Sequence, residues 1–143
     1  MTVKSILGAK GRDVLTSPPH RTVHELARTL AEKGIGAVVV TGADGEVLGI
    51  ISERDVVRAV ARGGVGALEE PVSRHMTQKV VTCAEDQTIV HVMERMTHGR
   101  FRHMPVTREG RLIGIVSIGD IVNHRLAEME NEQQALREYI ASA

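Results

Sequence analysis

The same segment occurs twice in this chain of 143 residues, and each copy closes on Ser-x-x-Asp. Gly49-Ile50-Ile51-Ser52-Glu53-Arg54-Asp55-Val56-Val57 returns as Gly114-Ile115-Val116-Ser117-Ile118-Gly119-Asp120-Ile121-Val122, 65 positions later. Upstream the offset is 66, pairing Thr16 with Thr82, Thr22 with Thr88, Leu26 with Val92, and Val40-Thr41 with Val106-Thr107. The change falls between Thr41 and Gly45, where Gly42-Ala43-Asp44 faces only Arg108-Glu109. A length change confined to a turn is what duplicated units absorb best, because loop length costs little. A unit of about 65 residues is marginal alone, so the two copies must pack tightly together. Paired units put their working surface where they meet.

Each copy reads as strand, helix, strand, strand, helix. Val14 to Thr16 has the composition of a short strand. Thr22 opens a helix with Val23, Leu26, Ala27, Leu30 and Ala31 on one face, and Gly34 ends it. Ala37 to Thr41 and Val47 to Ser52 are β-branched runs around a Gly-Ala-Asp-Gly turn, the pattern of a hairpin. Asp55 to Arg62 is expected to be a helix burying Val56, Val57 and Val60. The second copy repeats the order with a strand at Val80 to Cys83 and a helix with Ile89, Val92, Met93 and Met96 on one face. Its hairpin spans Met104 to Thr107 and Arg111 to Ser117. Between the copies, Arg62-Gly63-Gly64-Val65-Gly66 breaks the chain and Pro71 starts a short helix ending near Met76. Residues 1–70 are expected to hold an N-terminal helix, the first repeat and the linker. Residues 71–128 hold the second repeat and 129–143 a helical extension, all in one compact module.

The final helix runs past the repeat. Val122, Leu126, Met129, Gln133, Leu136 and Ile140 form a short heptad-like seam with one polar interruption. Two readings fit: a helix folded back on its own core, or an oligomer contact.

Eighteen Lys and Arg balance eighteen Asp and Glu, which removes the electrostatic basis for avid nucleic-acid binding. Cys83 is the only cysteine, so neither an internal disulfide nor a multi-cysteine zinc site can form. The apolar runs are strand-length, far short of the roughly 20 residues a membrane span needs, and the N-terminus lacks a signal-peptide core. The chain is therefore read as soluble and cytoplasmic, with no membrane partner. Phe101 and Tyr139 are the only aromatic residues besides histidine, so a planar ligand is expected to lie between aliphatic side chains. His91 and His98 share a polar helix face with Arg95, an arrangement of solvated surface rather than metal ligands, and no metal is expected. Gly34-Ile35-Gly36 lies helix-to-strand, the reverse of a dinucleotide fingerprint. No acid–base pair or activated nucleophile emerges, and no enzyme activity is expected.

The repeat, the β-α-β-β-α order, the two Gly-h-h-Ser-x-x-Asp closures (h, apolar) and Arg102-His103-Met104-Pro105-Val106 together resemble a tandem pair of CBS domains, named after cystathionine β-synthase. The resemblance covers about residues 10 to 128. It implies an α/β fold of two repeats packed about a pseudo-twofold axis, here with an extended C-terminal helix. It further implies clefts that bind adenine nucleotides (AMP, ADP, ATP or NAD), a homodimer, and a signal passed to a protein target whose identity the residues do not give. The alternative is an interaction module with vestigial clefts.

The residues admit two readings of the Ser-x-x-Asp closures. Ser52 with Asp55, and Ser117 with Asp120, have the spacing of a helix capping box. The family resemblance makes Asp55 and Asp120 acceptors for ribose hydroxyls, with the serines and helix N-termini facing phosphate. Arg102 and His103, beside Arg100 and Phe101, offer a cationic wall for phosphates, as does Arg54. The first copy has Gly34, Gly36 and Ala37 where the second has Arg100, Arg102 and His103, so the clefts should differ. Which cleft these cations serve stays open. By resemblance Thr16 and Thr82 flank the nucleoside, and the backbone at Ala37 and at Met104-Pro105 reads the adenine edge. Ile118 completes the expected ligand-binding set. Truncation after Glu128 separates the rival roles of the last helix: nucleotide binding should survive it, whereas an oligomer held by the seam should dissociate in size-exclusion chromatography.

Overall fold

The structure is a computed structural model and describes residues 1–142, so Ala143 of the extension lies outside the described residues. The first repeat contains β1 (Thr16–Ser17), α2 (Val23–Lys33), β2 (Ala37–Thr41), β3 (Val47–Ser52) and α3 (Glu53–Gly63), preceded by α1 (Val3–Lys10). Two short 3-10 turns, Val65–Glu69 and Val72–Arg74, link it to α4 (Ile89–Gly99), β4 (His103–Arg108), β5 (Arg111–Ser117) and α5 (Ile118–Ser142). The sheets are β1-β2-β3, with β1 parallel and β3 antiparallel to β2, and the β4-β5 hairpin.

Local signals act as the sequence implies. Thr22 and Thr88 cap α2 and α4 by accepting the N–H of Glu25 and of His91, each at 3.1 Å. Gly34 ends α2 in the left-handed region, at φ 63°. Three expectations need correction. The strand placed at Val14 to Thr16 is Thr16–Ser17, because Pro18 follows and ends the pairing. The strand placed at Val80 to Cys83 shrinks to one parallel bridge, Cys83 to Val106. Pro105 stands there in the place of Val39 and has no N–H for a second rung. On α3, Val57 and Val60 are 67% and 37% exposed, and Ala59 is the residue that is buried, at 2%.

Each repeat is completed by a segment from the other half. Val3, Ile6 and Leu7 of α1 are buried in one core with Ile89, Val92, Met96, Met104, Val116 and Ile121 of the second repeat. Val72 is buried in the other core with Val23, Leu26, Val38 and Ile51 of the first, with Met76 packed against it. The hydrogen bonds repeat the exchange: Val3 N–H donates to Gln87 O at 2.9 Å, and Val72 N–H to the equivalent Arg21 O at 2.7 Å. Thr2 bridges Thr88 as Pro71 bridges Thr22. The two halves are thus related by a pseudo-twofold axis.

This exchange needs glycine at two matched places. A Cβ on Gly114 would lie 2.7 Å from Leu7 Cδ2, and one on Gly49 would lie 2.5 Å from Met76 Sδ and 2.9 Å from the Thr77 carbonyl oxygen. Leu7 is buried in the core but only its side chain has to shift, whereas the Thr77 backbone is fixed by the 3.0 and 2.9 Å hydrogen bonds it exchanges with Ile50. Gly49→Ala should therefore destabilise the fold by roughly 1–3 kcal/mol, and Gly114→Ala by less. Urea titration of both variants checks the order.

The long helix faces outward. Val122, Leu126, Met129, Leu136 and Ile140 are between 46% and 64% exposed. The reading in which the seam folds onto the protein's own core is corrected: only Ile121 of α5 is buried, one position out of phase with the seam. No helix among the described residues is long and apolar enough to cross a membrane.

Candidate functional site

Both Ser-x-x-Asp closures form capping boxes. Ser52 N–H donates to Asp55 Oδ2 at 2.8 Å, and Asp55 N–H returns to Ser52 Oγ at 3.4 Å. Ser117 N–H donates to Asp120 Oδ2 at 2.9 Å, and Asp120 N–H to Ser117 Oγ at 3.1 Å. Each box runs through Oδ2, which leaves Oδ1 for another partner. Capping and ligand contact are therefore compatible uses of one carboxylate, because an ionised carboxyl accepts at both oxygens.

A cleft of about 990 Å³ lies where the repeats meet. The N-terminus of α3 supplies Ser52, Glu53, Arg54, Asp55, Val57 and Arg58 to one wall. The turn into β4 supplies Gly99, Arg100, Phe101, Arg102 and His103 to the other, and the linker adds Thr77, Lys79, Val80 and Val81. Arg54, Arg58, Lys79, Arg100 and Arg102 face two acids, Glu53 and Asp55, so the cleft is cationic although the chain is neutral. A smaller hollow of about 280 Å³ shares Arg54, Arg100, Phe101 and Arg102, and reaches Ile118. Such a hollow, cationic and partly apolar, suits a ligand with a flat apolar part and an anionic part.

His103, Lys10, Glu53 and Asp120 are electrostatically coupled. Burial and the Lys10 ammonium hold the His103 imidazole below its ordinary pKa against the pull of Glu53 and Asp120. Burial works to raise the Asp120 carboxyl, but the Lys10 ammonium and the Ser117 N–H outweigh it and hold it below the usual range. Lys10 Nζ lies 2.7 Å from Asp120 Oδ2. The Cys83 thiol is pushed up to about 11, chiefly by burial against the opposing charge of Arg95, which leaves it a core residue without nucleophilic character at neutral pH.

Of the expected residues, Ser52, Arg54, Asp55, Arg102 and His103 converge on the large cleft, and Ile118 on the adjoining hollow. Arg100, Arg102 and His103 share the large cleft with Asp55, across the boundary between the repeats, while Arg100 and Arg102 also line the hollow that reaches Ile118 and His103 feels both Glu53 and Asp120. Thr16, Ala37, Thr82, Met104, Pro105, Ser117 and Asp120 do not line it. Ala37 and Met104 are buried, the Pro105 carbonyl accepts Cys83 N–H at 3.0 Å, and the Thr82 carbonyl accepts from Arg95 at 3.1 Å. Phe101 lines both hollows and adds one aromatic face to their aliphatic residues. Arg58 was legible as Arg54 plus one helical turn; Lys79, Val80 and Val81 reach the cleft only through the path of the linker.

The comparisons agree with this architecture. The sequence model of the CBS domain matches residues 3–62 and 72–127. The chain belongs to the CBS domain family and is a pair of such domains. It is similar to the CBS-domain containing protein ATU1752 from Agrobacterium tumefaciens, at 54% identity and a TM-score of 0.85 over 87% of this chain and 99% of that one. The CBS domain pair of protein MJ0100, crystallised with 5′-methylthioadenosine and S-adenosyl-L-methionine, is 26% identical with a TM-score of 0.80 over 90% of this chain and 98% of that one. The CBS domain protein PAE2072 from Pyrobaculum aerophilum, complexed with AMP, is 28% identical with a TM-score of 0.75 over 84% and 89%.

One wall residue is held in strain. Arg100 caps α4 at φ 58°, the left-handed conformation that Gly34 takes at the matching cap of α2. A side chain there costs about 1–2 kcal/mol in backbone sterics, partly offset because glycine has more entropy to lose. Arg100→Gly should therefore stabilise the unliganded fold by up to about 1 kcal/mol, read as a higher midpoint in urea unfolding.

Proposed function

We propose that this CBS pair is a non-catalytic regulatory module that takes an adenine nucleotide, AMP, ADP, ATP or NAD, into the cleft between its repeats. The observation that carries the reading is the pairing of the Ser52–Asp55 closure of one repeat with Arg100, Arg102 and His103 of the other across one cleft. Asp55 Oδ1 receives the ribose hydroxyls, and Ile50, Val57, Val80, Val81 and Phe101 provide an apolar bed for the adenine. The phosphates meet the N-terminus of α3 together with Arg54 and Arg102, where the helix dipole and planar guanidinium donors both favour anions. The adenosine compounds bound by MJ0100 and the AMP bound by PAE2072 support the same ligand class.

A ligand that touches both repeats fixes their relative placement, and that is how occupancy becomes a signal. The second reading, an assembly module working through α5, rests on the exposed seam of that helix. The two roles combine if a homodimer forms along α5 and responds to the cleft.

A nucleotide at about 100 times its Kd adds about 2.7 kcal/mol of stability, which for a chain of this size raises Tm by several degrees. Thermal-shift measurements should show this rise with adenine nucleotides and a smaller one with adenosine. Asp55→Glu keeps the helix cap but moves the carboxylate by a methylene, so it should abolish the shift at unchanged unliganded Tm. Arg100→Gly should reduce the shift with ATP more than with adenosine. Absence of a shift with every adenosine compound would sink the reading.

A further inference from the structure

Asp55 and Asp120 are equivalent in the repeat but not in their surroundings, and the difference is one lysine. Asp55 is hydrogen-bonded to Ser52. Asp120 forms the same box with Ser117, yet its Oδ2 also holds Lys10 Nζ at 2.7 Å, and that ammonium donates to the Ile115 carbonyl at 3.1 Å. Ile115 is the counterpart of Ile50, whose N–H and C=O pair with the Thr77 backbone instead. In the first repeat the passing chain satisfies this strand edge and moves on, with Thr77 and Lys79 on the wall of an open cleft. In the second repeat α1 ends at this place, and the Lys10 side chain takes the edge carbonyl and the carboxylate together.

The backbone that carries Lys10 is firmly held. Val3, Ile6 and Leu7 of α1 are at most 3% exposed, and just beyond the helix Arg12 pairs with Glu85, which also binds Arg108. The side chain itself is a flexible stem, 35% exposed, in an ion pair that is 23% exposed on the Asp120 side. Such a pair is worth at most about 1 kcal/mol, so it can be displaced without unfolding anything. Its advantage over a free ligand is local concentration, in the millimolar range for a short tether.

Resting on the nucleotide reading above, and on a second cleft at Asp120 that the pseudo-twofold relation of the repeats implies, we propose that Lys10 is the built-in occupant of that cleft. Its ammonium joins the Ser117 N–H on Asp120 Oδ2 and neutralises the carboxylate, so the remaining Oδ1 is a weaker acceptor for ribose hydroxyls than that of Asp55. The Asp55 cleft therefore fills first, and the Asp120 cleft stays shut at concentrations that saturate it. The N-terminal helix, and not the repeat itself, then sets how many nucleotides the module takes.

Isothermal titration calorimetry with ATP and with AMP, on the full chain and on Lys10→Ala, tests this. The wild type should bind one nucleotide per chain and the variant two, with the unliganded Tm nearly unchanged. Lys10→Gln, which keeps the stem and removes the charge, should also bind two if loss of the stem disturbs α1. Equal, non-zero stoichiometry in wild type and variants overturns the latch and leaves the nucleotide reading standing. A site lost in Lys10→Ala overturns it differently, by making Lys10 a phosphate ligand. No binding by any of the proteins removes the nucleotide reading and the latch together.

Discussion

The contacts of Leu7 with Gly114 and of Met76 with Gly49 show the constraint on which everything else depends. A sheet of two or three strands has too little surface to close a core, and each repeat here finishes its own with a segment that precedes the other in the chain. The halves cannot part without exposing Val3, Ile6 and Leu7 on one side and Val72 on the other. The seam between the repeats is therefore as well fixed as the cores, and a cleft along it can hold charged groups from both halves in register.

That register explains how a neutral chain builds a cationic cleft. Arg54 and Arg58 project from α3, Arg100 and Arg102 from the turn into β4, and Lys79 from the linker. None of these three segments is basic enough to signal an anion site alone. Duplication supplied the helix N-terminus and its capped aspartate, and divergence between the copies, glycine and alanine in one against arginine and histidine in the other, supplied the countercharge. The strained backbone of Arg100 fits the same pattern, because a side chain at a glycine-favouring cap is more readily explained by what it faces than by stability.

Much of this was legible before any coordinates. The hairpins, the threonine caps and the glycine stop of α2 follow from local patterns, whose interactions span only a few residues. Asp55 was singled out because the repeat keeps an aspartate there, and Arg54, Arg102 and His103 because the copies diverge at those places; all four line one cleft. Val57 was misread because a three-turn helix with valines on two sides gives no unique buried face, and Ala59, small enough for close approach, decided it. The second copy's first strand was misread for want of one fact about its neighbour, that Pro105 has no N–H to give.

The sequence by itself determined the duplication, the hairpin and helices of each copy and the capping-box spacing of Ser52–Asp55 and Ser117–Asp120, since each depends on residues close in the chain or on the comparison of one half with the other. Only the tertiary structure decided that Asp55 shares a cleft with Arg100 and Arg102 and that Asp120 pairs with Lys10. Those pairings join residues up to 110 positions apart, and their geometry is set by how α1 and the linker cross between the halves. No spacing rule reaches that far, because the distance between two charges is fixed by packing and not by the count of residues between them.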